Sequence, residues 1–353
     1  MNRPSLCFDY EAQIPELRSL IARSERNQWV VGDIDWGVPP GNSGFGRALE
    51  WQGVLRSEYV RELPVARRDQ LAQQLIAFEF SQILHGEQGA MLLAGQLVNS
   101  LEDMDAKRFA AIQTKDEGRH VEAVHKLVGR IGPIYPIGET LKLSLDELLS
   151  SDLWVKQVIG LQLFLEARAL LSFRQSLLYV DDAVFSNVIR RIERDEAQHV
   201  AFGVRHVGKG LEEMSEHERA EMVRFASFVD DNVWFMTKSP EFRQPFEECD
   251  LDYDQFRATF AQATRWNLAM GRQARNEGDQ LYLEFRRWFE RTLRKVGLLG
   301  PGESLKGLER AGPRGRLEES EGDTAVIPWL EDEREIAREL EVARSADSRV
   351  APK

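Results

Sequence analysis

The amino-acid sequence predicts an all-α protein built around a bundle of four helices. Apolar residues recur with the 3.6-residue period of a helix along most of the chain, whereas the alternation typical of strands is scarce. Two copies of a Glu…Glu-x-x-His pattern also repeat at a fixed offset, and each copy fits a pair of helices. A length of 353 residues with 42% hydrophobic content suffices for one large domain or two ordinary ones.

An irregular N-terminal arm, residues 1–63, precedes the predicted bundle. It contains the run GDIDWGVPPGNSGFG, whose glycines and prolines interrupt regular structure. Helical periodicity then predicts a first bundle helix from about Pro64 to Glu102 and a second from about Ala106 to Ile131. The run GPIYPIGET ends this first pair.

Capping motifs place the second pair of bundle helices. The sequence SLDE at 144–147 has the capping-box pattern and predicts a third helix that continues to about Tyr179. Asp181 or Asp182 could cap a fourth helix, which ends near Gly210.

The remaining chain divides into two parts. SEHE at 215–218 is a second capping box, and a further helical stretch runs from about Tyr253 to Val296. Residues 212–299 are therefore predicted to add helices that pack on the four-helix bundle of residues 64–211. Residues 300–353 are polar and highly charged, which predicts a flexible tail.

Composition excludes several classes of function. The chain has 46 Lys and Arg against 58 Asp and Glu, a net charge of -12, which argues against nucleic acid as a partner. No run approaches the roughly 18 apolar residues of a membrane span, and the N-terminus has no signal-peptide core. Cys7 and Cys249 are far apart in sequence and fit reduced thiols, so a cytoplasmic location is expected.

The internal repeat is the most informative signal. DEGRH at 116–120 recurs as DEAQH at 195–199, an offset of 79 residues, and the same offset relates Glu87 to Glu166. Each half thus has one glutamate, followed 30 residues later by Glu-x-x-His with an aspartate directly before it. On a 3.6-residue repeat, Asp116 falls where the apolar stripe of its helix should continue. The acidic groups therefore point inward.

The spacing suits metal binding. A glutamate and a histidine three residues apart share one side of a helix, and 30 residues allow the next helix to return antiparallel. Two such hairpins would bring four carboxylates and two imidazoles into a bundle core, as in di-iron and di-manganese carboxylate bundles. The candidate ligands are Glu87, Glu117, His120, Glu166, Glu196 and His199.

The charges of these groups favour two cations. Four buried carboxylates repel one another unless divalent cations balance them, and a buried ion-pair network is the alternative explanation. Oxygen and imidazole donors suit iron or manganese, and the absence of clustered cysteines argues against structural zinc. Asp116 and Asp195 are each placed to accept a hydrogen bond from a ligand histidine on a neighbouring helix.

The doubled motif resembles that of the ferritin-like di-iron-carboxylate superfamily. This group includes the ribonucleotide reductase small subunit, bacterial multicomponent monooxygenases, acyl-carrier-protein desaturases and p-aminobenzoate N-oxygenase. The resemblance covers about residues 65–210 and implies a ferritin-like four-helix bundle. It also implies two iron sites bridged by one glutamate from each DExxH motif, with three ligands each: Glu87, Glu117 and His120, and Glu166, Glu196 and His199. By the same resemblance, Asp116 would orient His199 and Asp195 would orient His120.

The sequence departs from individual branches of this superfamily. Val124 stands where radical-bearing reductase subunits have a tyrosine, which argues against a similar stored tyrosyl radical. Ile192 replaces the third histidine of p-aminobenzoate N-oxygenase. Leu170 stands where monooxygenases often have a hydroxyl residue.

Helical spacing also predicts residues close to the metals. Small side chains there could leave a substrate pocket, although close helix packing explains them equally well. The candidate pocket residues are Ile83, Gly86, Ala90, Gln162, Ala169, Leu170, Ile192 and Phe202. Gln162 could bond to a metal-bound water or to a neighbouring carboxylate.

Four further residues have competing interpretations. Glu79 could replace Glu87 as the first ligand, although the repeat favours Glu87. His206 could be an extra ligand or proton donor, or lie in an outer layer. His85 and His125 are predicted to be solvated.

The resemblance implies a non-haem di-iron oxygenase or oxidase. Such an enzyme uses two iron ions, or a manganese–iron pair, with O2 as co-substrate and an external electron donor such as a ferredoxin or a reductase. It would act on a small organic substrate by hydroxylation (as a monooxygenase), desaturation or N-oxygenation. The alternative is a ferroxidase, an iron-storage protein or a radical-carrying small-subunit-like protein. A homodimer is possible by the same resemblance.

Overall fold

Helices form all of the regular structure in the part of the chain that the computed structural model describes. That part comprises residues 6–11, 14–39, 45, 48–51, 53–233, 239–269, 277–301 and 303–305. Residues 306–353 of the predicted tail lie outside it. None of the helices within it has the length and apolar character needed to cross a membrane.

The helices follow one another with short connections. In chain order they are α1 (Pro15–Arg26), α2 (Ala48–Trp51), α3 (Glu58–Glu62), α4 (Val65–Ser100), α5 (Met104–Ile131), α6 (Glu139–Leu149), α7 (Trp154–Val158), α8 (Ala167–Tyr179), α9 (Ala183–Glu212), α10 (Glu216–Val233), α11 (Gln244–Glu247), α12 (Tyr253–Ala269) and α13 (Glu277–Lys295). A π-helical segment, Ile159–Glu166, joins α7 to α8. The two hairpins predicted from the repeat are α4–α5 and α7–α8–α9.

Local capping explains where these helices begin. The Asp103 carboxylate accepts a hydrogen bond from the Ala106 amide at the start of α5, at 2.8 Å. Asp182 does the same for the Phe185 amide at the start of α9, at 2.7 Å. Of the two candidate caps, Asp181 and Asp182, the structure therefore shows Asp182 to be the cap.

The two predicted capping boxes have different outcomes. The box at 215–218 is confirmed. The Ser215 hydroxyl oxygen accepts a hydrogen bond from the backbone amide of Glu218, and the Glu218 carboxylate accepts one from the backbone amide of Ser215. The box at 144–147 is wrong, because α6 already begins at Glu139 and Ser144 lies inside it. There the Ser144 hydroxyl donates back to the Thr140 carbonyl, as hydroxyl residues inside helices commonly do. The stretch predicted as one third helix therefore forms two: α6, and a continuous run of α7, the π segment and α8.

The N-terminal arm contains a regular helix that the sequence did not predict. α1 packs against α5 and α9, with Leu17, Leu20 and Ile21 buried on one face. Its end leads directly into the buried Trp29, so the arm covers one side of the bundle.

The two hairpins pack through aromatic and aliphatic side chains. Phe80 of α4 meets Phe185 of α9 edge-on, with ring centroids 4.9 Å apart. Phe285 and Phe289 of α13 pack on Phe164 of the π segment, which places α13 on the outside of the second hairpin. Gly203 of α9 lets that helix approach the π segment closely, since a Cβ there would lie 2.7 Å from Gln162 Cβ.

Candidate metal centre

All six predicted ligands converge in the bundle core. Four structural elements contribute them, and every one of the six is at most 6% exposed. They are Glu87 of α4, Glu117 and His120 of α5, Glu166 at the end of the π segment, and Glu196 and His199 of α9.

The donor atoms form two overlapping groups, here named position one and position two. In position one, His120 Nδ1 lies 3.4 Å from Glu87 Oε2, 3.3 Å from Glu117 Oε2 and 3.1 Å from Glu196 Oε1. In position two, His199 Nδ1 lies 3.2 Å from Glu117 Oε1, 3.4 Å from Glu196 Oε2 and 3.8 Å from Glu166 Oε1. Glu117 and Glu196 therefore give one oxygen to each position.

These groups fit two divalent cations. In each position the donor atoms all lie within 4.8 Å of one another. Two ligands at right angles on a cation with bonds of about 2.1 Å are about 3 Å apart, close to the spacing seen here. Neither histidine Nδ1 has a hydrogen-bond partner, nor has the Oε2 atom of Glu117, Glu166 or Glu196. Buried polar atoms without partners are costly, and metal coordination would satisfy them.

An aspartate lies next to Nε2 of each imidazole, the ring nitrogen that faces away from the glutamates. His120 Nε2 lies 3.2 Å from Asp195 Oδ2, and His199 Nε2 lies 3.5 Å from Asp116 Oδ2. Each aspartate thus faces the histidine of the other hairpin, the arrangement that the resemblance implied. An aspartate at Nε2 favours the tautomer whose Nδ1 is free to bind a cation.

Arg119 joins the two aspartates. Its Nη2 donates to Asp116 Oδ1 at 2.6 Å and to Asp195 Oδ2 at 2.8 Å, and the side chain is buried. The sequence predicted no role for Arg119, although an arginine three positions after an aspartate is a recognisable pair on a helix.

The arm supplies two more contacts to this outer layer. The Trp29 indole donates to Asp195 Oδ2 at 2.8 Å, and the Gln28 amide donates to Asp116 Oδ1 at 3.0 Å. The Arg119 guanidinium also lies over the Trp29 ring, 4.7 Å from its centroid. Since these residues are at least 88 positions from their partners along the chain, no local sequence pattern reveals the contacts.

A chain of two amides borders position two. Gln113 Nε2 donates to Glu117 Oε1 at 3.1 Å and also to Glu166 Oε1. Gln162 Nε2 in turn donates to Gln113 Oε1 at 3.0 Å. Gln162 therefore reaches the carboxylates only through Gln113, a residue for which the sequence predicted no role.

The protein side chains alone place conflicting demands on charge. Burial raises the pKa of Glu87 and Glu166 well above the usual range, and the neighbouring Glu196 raises both further. Burial would also raise the pKa of Glu117, but His199 and His120 hold it well below its usual value. Burial and the neighbouring carboxylates thus oppose the ionisation of Glu87 and Glu166, and two divalent cations would remove this conflict.

The histidines show the complementary effect. Burial lowers the pKa of His120, but the hydrogen bond with Asp195 and the surrounding glutamates overcome it and hold the pKa well above the usual value. For His199, burial is likewise outweighed by Glu166, Glu117 and Asp116. A cation bound at Nδ1 would replace a proton there.

A pocket opens beside the two positions. It encloses about 540 Å³, a volume that includes its mouth open to solvent. Its inner wall includes Glu87, Glu166 and Glu196, and its other walls are largely aliphatic. The remaining lining residues are Glu79, Gln82, Ile83, Gly86, Ala90, Leu141, Leu161, Leu165, Arg168 and Ala169.

Known proteins resemble this chain in structure only. No family model matches the sequence, and no curated protein matches it. A solved variant of an R2-like ligand-binding oxidase with an anaerobically reconstituted Mn/Fe cofactor has a TM-score of 0.50 and 15% identity, over 82% of this chain and 96% of that one. A second variant, with an aerobically reconstituted Mn/Fe cofactor, has a TM-score of 0.49 and 16% identity over the same shares.

The chain has a ferritin-like fold. The predicted all-α, ferritin-like four-helix bundle with additional helices is thereby confirmed. At 15% identity, this similarity extends to the fold and not to an activity.

Within the ferritin-like fold, half of the predicted pocket residues line this pocket. Ile83, Gly86, Ala90 and Ala169 do so. The others pack elsewhere: Gln162 bonds to Gln113, Phe202 stacks on Phe109, and Leu170 and Ile192 are buried in the core.

The π segment explains why two of these residues, Gln162 and Leu170, do not line the pocket. A π-helix has more residues per turn than the 3.6 used for the prediction, so the face that reaches the pocket shifts along the sequence. Leu161 and Leu165 line the pocket in place of Gln162, and Arg168 joins Ala169 in place of Leu170.

The residues with competing interpretations also have defined places. Glu79 is buried in the pocket wall, accepts a hydrogen bond from Ser172 and belongs to neither position. His85 is not solvated as predicted, since it is half-buried and its Nε2 lies 2.9 Å from the Tyr135 carbonyl oxygen. His125 is exposed, as predicted.

His206 lies outside the centre and belongs to neither metal position. Its ring is buried between Phe202 and Trp154, with centroids 5.2 and 5.1 Å away. Burial lowers the pKa of His206 to about 4, against the opposing effect of Asp103. Its Nδ1 has no hydrogen-bond partner.

We expect His206 to make folding sensitive to moderate acid. Because its pKa is lower in the folded protein than the ordinary value of about 6.5, the unfolded chain binds the proton first, and stability falls as the pH decreases from about 6.5 to 4. The loss at pH 5 should be about 2 kcal/mol. Urea denaturation of the metal-free protein at pH 7 and pH 5 measures the free energy of unfolding. Between these two pH values, the free energy of unfolding should fall by about 2 kcal/mol less in His206→Phe than in wild type. His125→Phe, at an exposed histidine, is the control. Identical pH dependence in wild type and His206→Phe would contradict the assignment.

Proposed function

We propose that this chain is an O2-activating oxidoreductase with a non-haem di-iron or manganese–iron centre that oxidises a small, largely apolar organic substrate. The observation that carries the proposal is the pocket whose inner wall is formed by three of the candidate metal ligands, Glu87, Glu166 and Glu196. A molecule bound there would be next to both metal positions. Hydroxylation, desaturation and N-oxygenation all remain compatible with this arrangement.

Each residue of the centre has a defined task in the proposal. Glu87, Glu117, His120 and Glu196 would hold the first ion, and Glu117, Glu166, Glu196 and His199 the second. When bound, the metal pair supplies the electrons that reduce O2, and an external ferredoxin or reductase would replenish them. The aliphatic residues of the pocket would contact an apolar substrate, and a substrate bound there would keep water from the centre and so limit side reactions.

The similar oxidase structure bears on the choice of metals. Because that protein has a Mn/Fe cofactor, manganese must be tested beside iron. Val124, which is fully buried, stands where radical-bearing reductase subunits have a tyrosine. This difference favours oxidation of a substrate over storage of a tyrosyl radical.

Metal stoichiometry on exposure to oxygen tests the proposal. Metal-free protein is loaded anaerobically with Fe(II), or with equal amounts of Mn(II) and Fe(II), and then mixed with oxygenated buffer while O2 uptake and iron oxidation are followed. We expect oxidation to stop near two metal ions per chain and to resume only with added reductant. Continued oxidation of many irons per chain would instead establish an iron-storage protein, and failure to bind metal would reject both functions.

A further inference from the structure

The Gln113 amide is held in one orientation between the two hairpins. Its side chain is fully buried, its NH2 group donates to Glu117 and Glu166, and its carbonyl oxygen accepts from Gln162. Turning the amide by 180° would place the carbonyl against two carboxylates and the NH2 against another NH2. The contacts therefore fix which end faces the centre.

This contact makes the two metal positions chemically different. Glu166 belongs only to position two, and Gln113 holds one of its oxygens. Its counterpart Glu87 belongs only to position one, and among the described residues no amide donates to it. The ligand sets are otherwise equivalent, with one histidine, one terminal glutamate and two shared glutamates each.

We propose that Gln113 is a positioning residue that causes position two to bind its divalent cation first and more tightly than position one. This inference rests on the proposed metal centre. Two opposing effects must be weighed. A hydrogen bond withdraws charge from a carboxylate oxygen, which weakens it as a ligand, but it also fixes the carboxylate in the binding geometry. Loss of an outer hydrogen-bond partner typically weakens metal binding 10- to 100-fold, so the gain from positioning is the larger effect.

A purely structural role for Gln113 would have different consequences. A buried amide that only satisfied its neighbours would, when removed, destabilise the fold without separating the two metal affinities. Gln157 provides the matched comparison, because it is also fully buried and donates to another glutamine, Gln96, at 2.7 Å. It belongs to neither metal position.

Titration with Mn(II), followed by electron paramagnetic resonance of the free ion, tests the inference. Wild type should bind two ions with distinct affinities, and Gln113→Met should weaken one step 10- to 100-fold and the other less. Gln162→Met, which leaves the Gln113 side chain in place, should cause a smaller loss of the same step. Gln157→Met should leave both steps unchanged. Melting of the metal-free proteins separates these effects from misfolding.

Crystals grown with one equivalent of Mn(II) assign the tighter step. Anomalous difference density should appear next to His199 in wild type, and it should become divided between both positions in Gln113→Met. Equal affinities in wild type, equal weakening of both steps, or density next to His120 alone would overturn the inference while leaving the metal centre intact. Absence of any bound Mn(II) or Fe(II) would reject the proposed function and this inference together.

Discussion

Glu117→Gln is expected to lose both metal ions, whereas Glu87→Gln should keep one. The two substitutions are chemically identical, and each replaces a buried carboxylate with an amide of the same shape. They differ in what the carboxylate contacts. Glu117 gives one oxygen to each metal position and also accepts a hydrogen bond from Gln113, whereas Glu87 contributes only to position one. Since removal of an outer partner alone costs about 10- to 100-fold in affinity, loss of a shared ligand should weaken both sites by at least about 100-fold.

Metal content after anaerobic reconstitution and desalting measures this difference. Elemental analysis should find about two ions in wild type, about one in Glu87→Gln and almost none in Glu117→Gln. Glu79→Gln is a suitable control, because Glu79 is buried on the same helix and in the same pocket but belongs to neither position. Two ions retained by Glu117→Gln would show that the centre is not bridged as the structure indicates.

The grouping of the six side chains was predictable because it depends on repetition and helical spacing alone. Once Glu87 and Glu166 are related by the same offset as the two DExxH motifs, two antiparallel hairpins must bring all of them together. Local signals such as the Asp182 cap were predictable because each depends only on residues within one helical turn. Whether these six side chains bind metal stays a prediction.

The surroundings of the centre were less predictable, for two physical reasons. Contacts from the arm, such as that of Trp29 with Asp195, form only after the chain has folded back over the bundle. The π segment changes the number of residues per turn where the pocket is lined, so Leu161 and Leu165 replace the residues expected from an α-helix. Neither effect has a signature in the periodicity of apolar residues.

Arg119→Leu is expected to lower stability by about 3–5 kcal/mol, because it leaves two buried aspartates without their shared cation. This corresponds to a melting temperature of the metal-free protein lower by roughly 10 °C. Metal binding should weaken as well, by about 10- to 100-fold, because Asp116 and Asp195 would no longer be held against the two ligand histidines. Calorimetry and Mn(II) titration measure the two effects separately.

Arg108 provides the matched control on the same helix. It forms the same pair with an aspartate three residues earlier, Asp105, but its own side chain is half exposed. A pair open to solvent contributes about 0–1 kcal/mol, so Arg108→Leu should barely change melting or metal affinity. Arg119→Lys should be intermediate, since a single ammonium keeps the charge but lacks the planar fork that contacts both aspartates and Gln28. If Arg119→Leu melted and bound Mn(II) like Arg108→Leu, the two aspartates would not depend on this arginine, and their hold on the histidines would have to come from the helices alone.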